Sequence, residues 1–247
     1  MKHVLVLGAS GNVGPYVTPG LEPYYHLRLA DVKPHPFGKP ITHVDMTSYK
    51  DVLEASRGMD AIINFTVLRD DPVQSFHVNT RGMYHILKAA LEHGIKHVIQ
   101  TGAQSARYWY DHDFDIDDIP EMPGTGYYMI TKYLSMEMCR IYARTYGIQI
   151  ACFLFNGLGP KPTALVTKQD FPTFTVVWED LQHACRLALE AESIPDNFQI
   201  FNMLSYLSHG KYTVEKARRT LGYAPLEKVE DYYKRVPYNV GTLQVTG

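Results

Sequence analysis

Apolar residues fall along this chain in two kinds of block: short continuous runs, and longer stretches in which they recur every three or four positions. Short apolar runs bounded by polar residues or glycine read as strands buried on both faces, and the longer periodic stretches read as helices. Strands are predicted at Lys2–Leu7, Leu27–Asp31, Ile41–Asp45, Asp60–Phe65, Lys96–Gln100, Gln149–Leu154, Phe174–Val177 and Phe198–Asn202. Helices are predicted after the first strand and over Ser48–Arg57, Val73–His93, Tyr127–Tyr146, Glu179–Ala191 and Val214–Leu221. Gly94 and Gly147 stand where a helix ends in a left-handed residue. Strands alternating with helices predict an α/β fold with a doubly wound parallel sheet. Between the fifth strand and the helix at Tyr127, the stretch Tyr108–Gly126 is rich in Asp, Pro and Gly and too long for a simple connector; loops of that length are usually lids, substrate walls or disordered.

The first strand runs into Gly8-Ala9-Ser10-Gly11-Asn12-Val13-Gly14, three glycines spaced three apart. Glycine lets the backbone turn tightly and approach a pyrophosphate, to which the following helix presents free N–H groups. An acid, Asp31, closes the second strand. Strand, glycine loop, helix and downstream acid together make the dinucleotide-binding fingerprint. Residues 1–160 then form the dinucleotide domain, and 161–247 a smaller substrate-side unit partly continuous with the sheet.

Composition narrows the picture without redirecting it. A chain of 247 residues, 45% hydrophobic and 20% charged, buries a full core. A formal net charge of −2 gives no footprint for nucleic acid or an anionic membrane, and no apolar run reaches the ~20 residues of a bilayer span. Cys139, Cys152 and Cys185 lie too far apart in sequence for a zinc motif, and read as buried reduced thiols of a cytoplasmic protein. Among the eleven histidines, His112 lies between acids but lacks a second ligand at metal spacing, so no metal is expected.

Tyr128 and Lys132 lie one helical turn apart on one face. An ammonium near a phenol favours the phenolate, which suits the pair to proton transfer near neutral pH. The same spacing occurs at Tyr84/Lys88 and Tyr212/Lys216. Only Tyr128 opens a helix beside the presumed cofactor sheet, with a long loop before it.

The glycine loop, Asp31, Asn79 in Val78-Asn79-Thr80-Arg81-Gly82, and Tyr128/Lys132 together resemble the extended short-chain dehydrogenase/reductases, the NAD-dependent epimerase/dehydratases. The resemblance covers essentially the whole chain, including Asn156-Gly157-Leu158-Gly159-Pro160 after the sixth strand and the basic helix running into Gly222-Tyr223. Within the family, the short length and the Leu27–Asp31 region look closest to the uronate dehydrogenase-like sugar dehydrogenases. The resemblance implies that Gly8, Gly11 and Gly14, with Ser10, Asn12 and Val13 between them, hold the pyrophosphate of NAD. It implies that Asp31 binds the adenosine ribose, where its charge disfavours the extra phosphate of NADP even with Lys33 nearby. Asp45 and Met46 would contact adenine, and Phe65, Thr66 and Val67, with Asn79, would line the rest of the cofactor. Tyr128 would take the substrate hydroxyl proton, and Lys132 would lower the tyrosine pKa and hold the nicotinamide ribose. The family's usual arrangement also implies a homodimer built from the helices Val73–His93 and Tyr127–Tyr146. The second of these carries apolar residues on more than one face.

The chain departs from the family's pattern in three places. The strand-end serine or threonine that bonds the reacting oxygen is replaced by Ala103, leaving Thr101 and Ser105, two residues either side, as substitutes, with the weight on Ser105. The Asp-Glu pair of the dehydratases is Gly102-Ala103, which argues against dehydration. The arginine that holds a uronate carboxylate near the end of the sixth strand is missing from Phe153-Leu154-Phe155-Asn156, and a bidentate clamp is hard to replace, which argues against a uronate substrate. The expected function is an NAD-dependent oxidoreductase acting on a secondary alcohol or ketone of a sugar-like small molecule. Its rivals are a sugar-nucleotide epimerase that keeps NAD bound and, because of Ala103, an NAD-binding regulator that has lost catalysis.

Overall fold

The computed structural model describes residues 1–103, 121, 123–167, 169, 171–172, 174–207 and 212–233. Seven parallel strands form the main sheet: β1 (His3–Leu7), β2 (His26–Asp31), β3 (Thr42–His43), β4 (Ala61–Asn64), β5 (His97–Thr101), β6 (Gln149–Leu154) and β9 (Phe198–Asn202). Their order is β3-β2-β1-β4-β5-β6-β9. The chain winds outward from β1 in one direction and then from β4 in the other, so a switch point lies between β1 and β4, where open α/β sheets bind ligands. A separate pair, β7 (Gly157–Gly159) and β8 (Thr175–Val177), is also parallel.

The central strands β4, β5 and β6 are almost wholly buried, as continuous apolar runs require, and Val4–Leu7 of β1 is equally inaccessible. The strand predicted at Ile41–Asp45 is only the two-residue β3, an exposed edge strand. β7 escaped sequence reading because Gly157-Leu158-Gly159 has one apolar residue between two glycines.

Helix α1 (Gly14–Leu21) packs against α6 (Trp178–Glu190): the ring of Tyr16 stacks on Trp178 at 4.8 Å, and Gln182 donates to the Tyr16 carbonyl. Helices α2 (Tyr49–Ser56), α4 (Gly82–Glu92) and α5 (Tyr127–Tyr146) pack side by side. Ser48 caps α2 by accepting from the Asp51 amide, while its hydroxyl donates to the Asp51 carboxylate. The predicted helix Val73–His93 is one rod of three parts: α3 (Pro72–Ser75), a π-helical turn (Phe76–Arg81) and α4. The wide turn carries Asn79, and such turns occur preferentially at functional sites. Gly94 and Gly147, at φ 70°, end α4 and α5 as expected. From the segment after residue 160, β9 joins the main sheet and α6 its helical layer, followed by α7 (Glu215–Leu221).

Candidate functional site

Because the sheet is parallel, Gly8 after β1, Asp31 at the end of β2, Phe65 after β4 and Thr101 at the end of β5 share one edge. Gly8 has φ +77°, and a Cβ placed on it would lie 2.7 Å from the Thr66 amide nitrogen, so a bare backbone is required where the two loops meet. A Cβ on Gly14 would lie 2.6 Å from the backbone of Ala9, which explains the third glycine as helix-to-strand packing. Between them, the amides of Asn12 and Val13 make no bond to described residues, and Val13 gives α1 no side-chain cap. The helix therefore opens with donors to spare, as an anion seat needs.

Asp31 braces this loop from below. Its carboxylate accepts from the Ser10 amide on one oxygen and from the Lys33 amide on the other, both at 3.0 Å, and the Ser10 hydroxyl donates to the Lys33 carbonyl at 2.9 Å. Asp45 accepts from the amide and hydroxyl of Thr47, both at 2.8 Å, and buried Met46 offers its carbonyl to the His85 ring at 2.9 Å. Phe65 is buried, whereas Thr66 and Val67 are half-buried. The Thr66 hydroxyl oxygen is buried without a hydrogen-bond partner among the described residues. Spare loop amides, a cradle closed to any Cβ and an orphaned hydroxyl beside it fit a bound dinucleotide.

Asn79 ties this edge to α5. Its amide nitrogen donates to the Leu68 carbonyl at 2.8 Å and to the Thr131 hydroxyl at 3.0 Å, while its oxygen accepts from the Leu68 amide at 2.8 Å. The Ser75 hydroxyl adds a second bond to the Leu68 carbonyl. The loop after β4 is thereby held against the first turns of α5.

Lys132 is buried, and its ammonium donates to the Thr101 carbonyl at 2.9 Å and hydroxyl at 3.3 Å. The Thr101 hydroxyl donates in turn to the Asn64 carbonyl at 3.1 Å, and the Asn64 side chain donates to Gln100 at 2.8 Å. Thr101 is thus part of the lysine's seat, with its proton committed to β4. Burial lowers the Lys132 pKa to about 8. Ser105, the other candidate hydroxyl, lies outside the described residues, as does most of the Tyr108–Gly126 loop; Ala103 is buried.

The tyrosine differs from expectation. Burial raises the Tyr128 pKa, and the charge opposing that rise belongs to Arg69, whose guanidinium carbon lies 5.1 Å from the ring centroid. Lys132 instead faces Thr101 in this geometry. Arg69 is the residue sequence reading missed. It stands in an Arg-Asp-Asp run that reads as a solvated loop, and only the fold brings it over Tyr128. The other tyrosine–lysine pairs lie elsewhere: Tyr84 is exposed on α4, and buried Tyr212 packs its ring on Phe174. Cys139, Cys152 and Cys185 are buried free thiols.

Comparison with known proteins gives this edge a context. A uronate dehydrogenase of Pseudomonas syringae pv. tomato is 28% identical over 168 residues, 65% of this chain and 61% of that protein. One from Pseudomonas putida is 28% identical over 171 residues and is covered to 64%. The aligned region thus spans less than two thirds of either relative. Among solved structures, uronate dehydrogenase from Agrobacterium tumefaciens superposes with a TM-score of 0.82 at 21% identity, over 94% of this chain and 87% of that one. A UDP-galactose 4-epimerase superposes at 0.71, over 93% and 97%, with 16% identity. At such identities the superpositions establish the fold. The family model described as NAD dependent epimerase/dehydratase matches residues 4–174, well over half of the chain, and its glycine loop, Asp31 and the Tyr128 region lie inside that span. This chain belongs to the NAD-dependent epimerase/dehydratase family.

Proposed function

We propose that this protein is an NAD-dependent dehydrogenase that oxidises a secondary hydroxyl of a sugar-like small molecule, with Tyr128 as the base. The carrying observation is the convergence of Tyr128, buried Lys132 and the Gly8/Thr66 cradle on one edge of the sheet. In this reading Gly8, Ser10, Gly11, Asn12, Val13 and Gly14 hold the pyrophosphate, and Asp31 the adenosine ribose. Asp45 and Met46 flank the adenine, and Phe65, Thr66, Val67 and Asn79 line the nicotinamide half. NAD, once bound, supplies the hydride acceptor. Tyr128 takes the hydroxyl proton as hydride leaves the same carbon. Arg69 places a positive charge near the phenol and favours its ionised form against the cost of burial, while Lys132 is held on Thr101 to meet the nicotinamide ribose. Thr101 fixes the lysine and is not free to donate to substrate; Ser105 remains the candidate for that bond.

Two relatives bearing the name uronate dehydrogenase, each 28% identical to this chain over their aligned region, support dehydrogenation over epimerisation. The test is NADH formation from NAD with a panel of sugars and sugar acids. Tyr128→Phe should bind NAD normally and lose activity by at least about a thousandfold. Turnover within a few-fold of wild type would remove Tyr128 from the chemistry. Interconversion of sugar epimers without net NADH would favour the epimerase reading, and NAD binding without any turnover the regulator.

We also propose a homodimer through the rod Pro72–Glu92 and α5. Tyr84 and Leu91 on α4, and Leu134 and Ile141 on α5, are exposed apolar pairs seven residues apart on neighbouring helices. A monomeric mass at micromolar concentration would refute it. The three buried free thiols support a reducing, cytoplasmic setting.

A further inference from the structure

The carboxyl end of β6, from which a cation would reach a substrate acid, offers half-buried Phe155 and exposed Asn156. The cationic charge at this edge comes instead from the loop after β4. Arg69 is exposed, and its guanidinium lies over the Tyr128 ring. Its backbone is fixed at both sides: Leu68 is held through its amide and carbonyl by Asn79, and the Arg69 carbonyl accepts from the Tyr127 hydroxyl. The side chain that rises from this anchored point forms no ion pair with any described residue. Neither of the acids that follow closes on it, since Asp71 caps α3 by accepting from the Gln74 amide and Asp70 is exposed. Lys132 cannot serve in its place, because its ammonium is buried and bonded to Thr101. The Arg69 charge is also felt at both Tyr128 and Lys132, which places it at the reacting end of the site.

We propose that Arg69 is a substrate-binding residue that holds the carboxylate of a sugar acid, from the loop after β4, and thereby sets the enzyme's preference for acidic over neutral sugars. The inference rests on the dehydrogenase reading. A guanidinium presents a planar fork that fits a carboxylate through two parallel hydrogen bonds, and it stacks on an aromatic ring without losing that fork. A single guanidinium followed by Asp70 and Asp71 matches a monoanion better than the dianion of a sugar phosphate. The anchored backbone fixes the arginine's origin relative to Tyr128, so the distance between the bound carboxylate and the oxidised hydroxyl is restricted.

The test uses full-length protein loaded with NAD. Calorimetric titration compares glucuronate with glucose, galacturonate with galactose, mannuronate with mannose, and galactose 6-phosphate with all six. NADH formation is followed in parallel. Wild type should bind at least one acid on the order of 100-fold more tightly than its neutral counterpart. Arg69→Gln should erase that ratio, and Arg69→Lys should restore only part of it, since a point charge lacks the fork. Affinity for NAD should be the same in all three proteins. Absence of any acid preference in wild type, an Arg69→Gln protein that keeps the ratio, tighter binding of the phosphate, or a parallel loss of NAD affinity would each overturn the assignment. NADH formed from neutral sugars without acid preference overturns the role of Arg69 and leaves the dehydrogenase reading intact. Acid-selective binding that depends on Arg69 but yields no NADH does the reverse.

Discussion

Lys132 gives the sharpest physical prediction, because its cost and its use separate. Its ammonium is wholly buried and its pKa falls from 10.5 to about 8. The charged form is therefore less stable in the folded chain than in water. At pH 7 the lysine is protonated in both states, and the full penalty is present: a shift of that size corresponds to about 3 kcal/mol against folding. The sign follows from linkage. Between about pH 8 and 10.5 the unfolded chain binds a proton at this position that the folded chain has released, so stability from this residue rises with pH across that window. Methionine is close to lysine in length and shape and carries no charge. It also strands little, since the Thr101 carbonyl still accepts from Gln100 at 3.2 Å and the Thr101 hydroxyl still donates to Asn64.

Nucleotide-free Lys132→Met should thus be more stable than wild type near pH 7, by up to about 3 kcal/mol, while losing the proposed dehydrogenase activity. The gap should shrink by about 2 kcal/mol between pH 7 and pH 9.5, as the wild-type lysine sheds its proton. Urea denaturation of the two proteins at both pH values measures this directly, because every other titrating group is shared and cancels in the difference. A Lys132→Met protein less stable than wild type at pH 7 would refute the reasoning, as would a gap that does not change with pH. Either would mean that the ammonium's hydrogen bonds to Thr101 outweigh its desolvation.

Three further perturbations probe the same edge. Gly8→Ala places a methyl 2.7 Å from the Thr66 backbone at φ +77°; it should destabilise the fold by about 1–3 kcal/mol and weaken NAD binding, read by urea denaturation and calorimetry. Asn79→Ala removes three hydrogen bonds that hold Leu68 and Thr131; it should cost about 2–4 kcal/mol and speed amide exchange at Leu68, with unchanged exchange counting against the clamp. Asp31→Asn leaves one acceptor oxygen where two amides now bind and removes the charge that repels a 2′-phosphate. The ratio of NADP to NAD affinity should rise by about tenfold, and an unchanged ratio would take cofactor choice away from this residue.

The sheet was legible because its strands are buried on both faces. Val4–Leu7 and Ile150–Leu154 must be apolar throughout, and that continuity shows in a single sequence. Helix ends at Gly94 and Gly147 were legible because a left-handed residue selects glycine. β3 and β7 were poorly legible for the opposite reason: an exposed edge of two residues and a glycine-flanked pair impose little on side-chain choice. The π-helical turn at Asn79 has no signature in the apolar spacing, although the asparagine itself stood out. The positions of Tyr128, Lys132 and the glycine loop on one edge followed from the parallel topology. What Lys132 actually touches did not, because Thr101 and Asn64 meet it only through strand pairing.

Arg69 marks the limit of pattern reading and the gain from the fold. In sequence, a cation missing from the end of β6 argues against an acidic substrate. In the folded chain the same edge receives a guanidinium from the loop after β4, on a backbone that Asn79 and Tyr127 hold still. All strands of a parallel sheet deliver their following loops to one edge, so a recognition charge can come from one strand's loop or another's and still face the same reacting group. Chemistry at the tyrosine constrains Tyr128 and Lys132 to one helix face, since both must address a single point. Recognition constrains only where a charge arrives, and the chain that carries it is free to vary. A residue absent from one strand end is therefore weak grounds for excluding a substrate until the neighbouring loops have been placed.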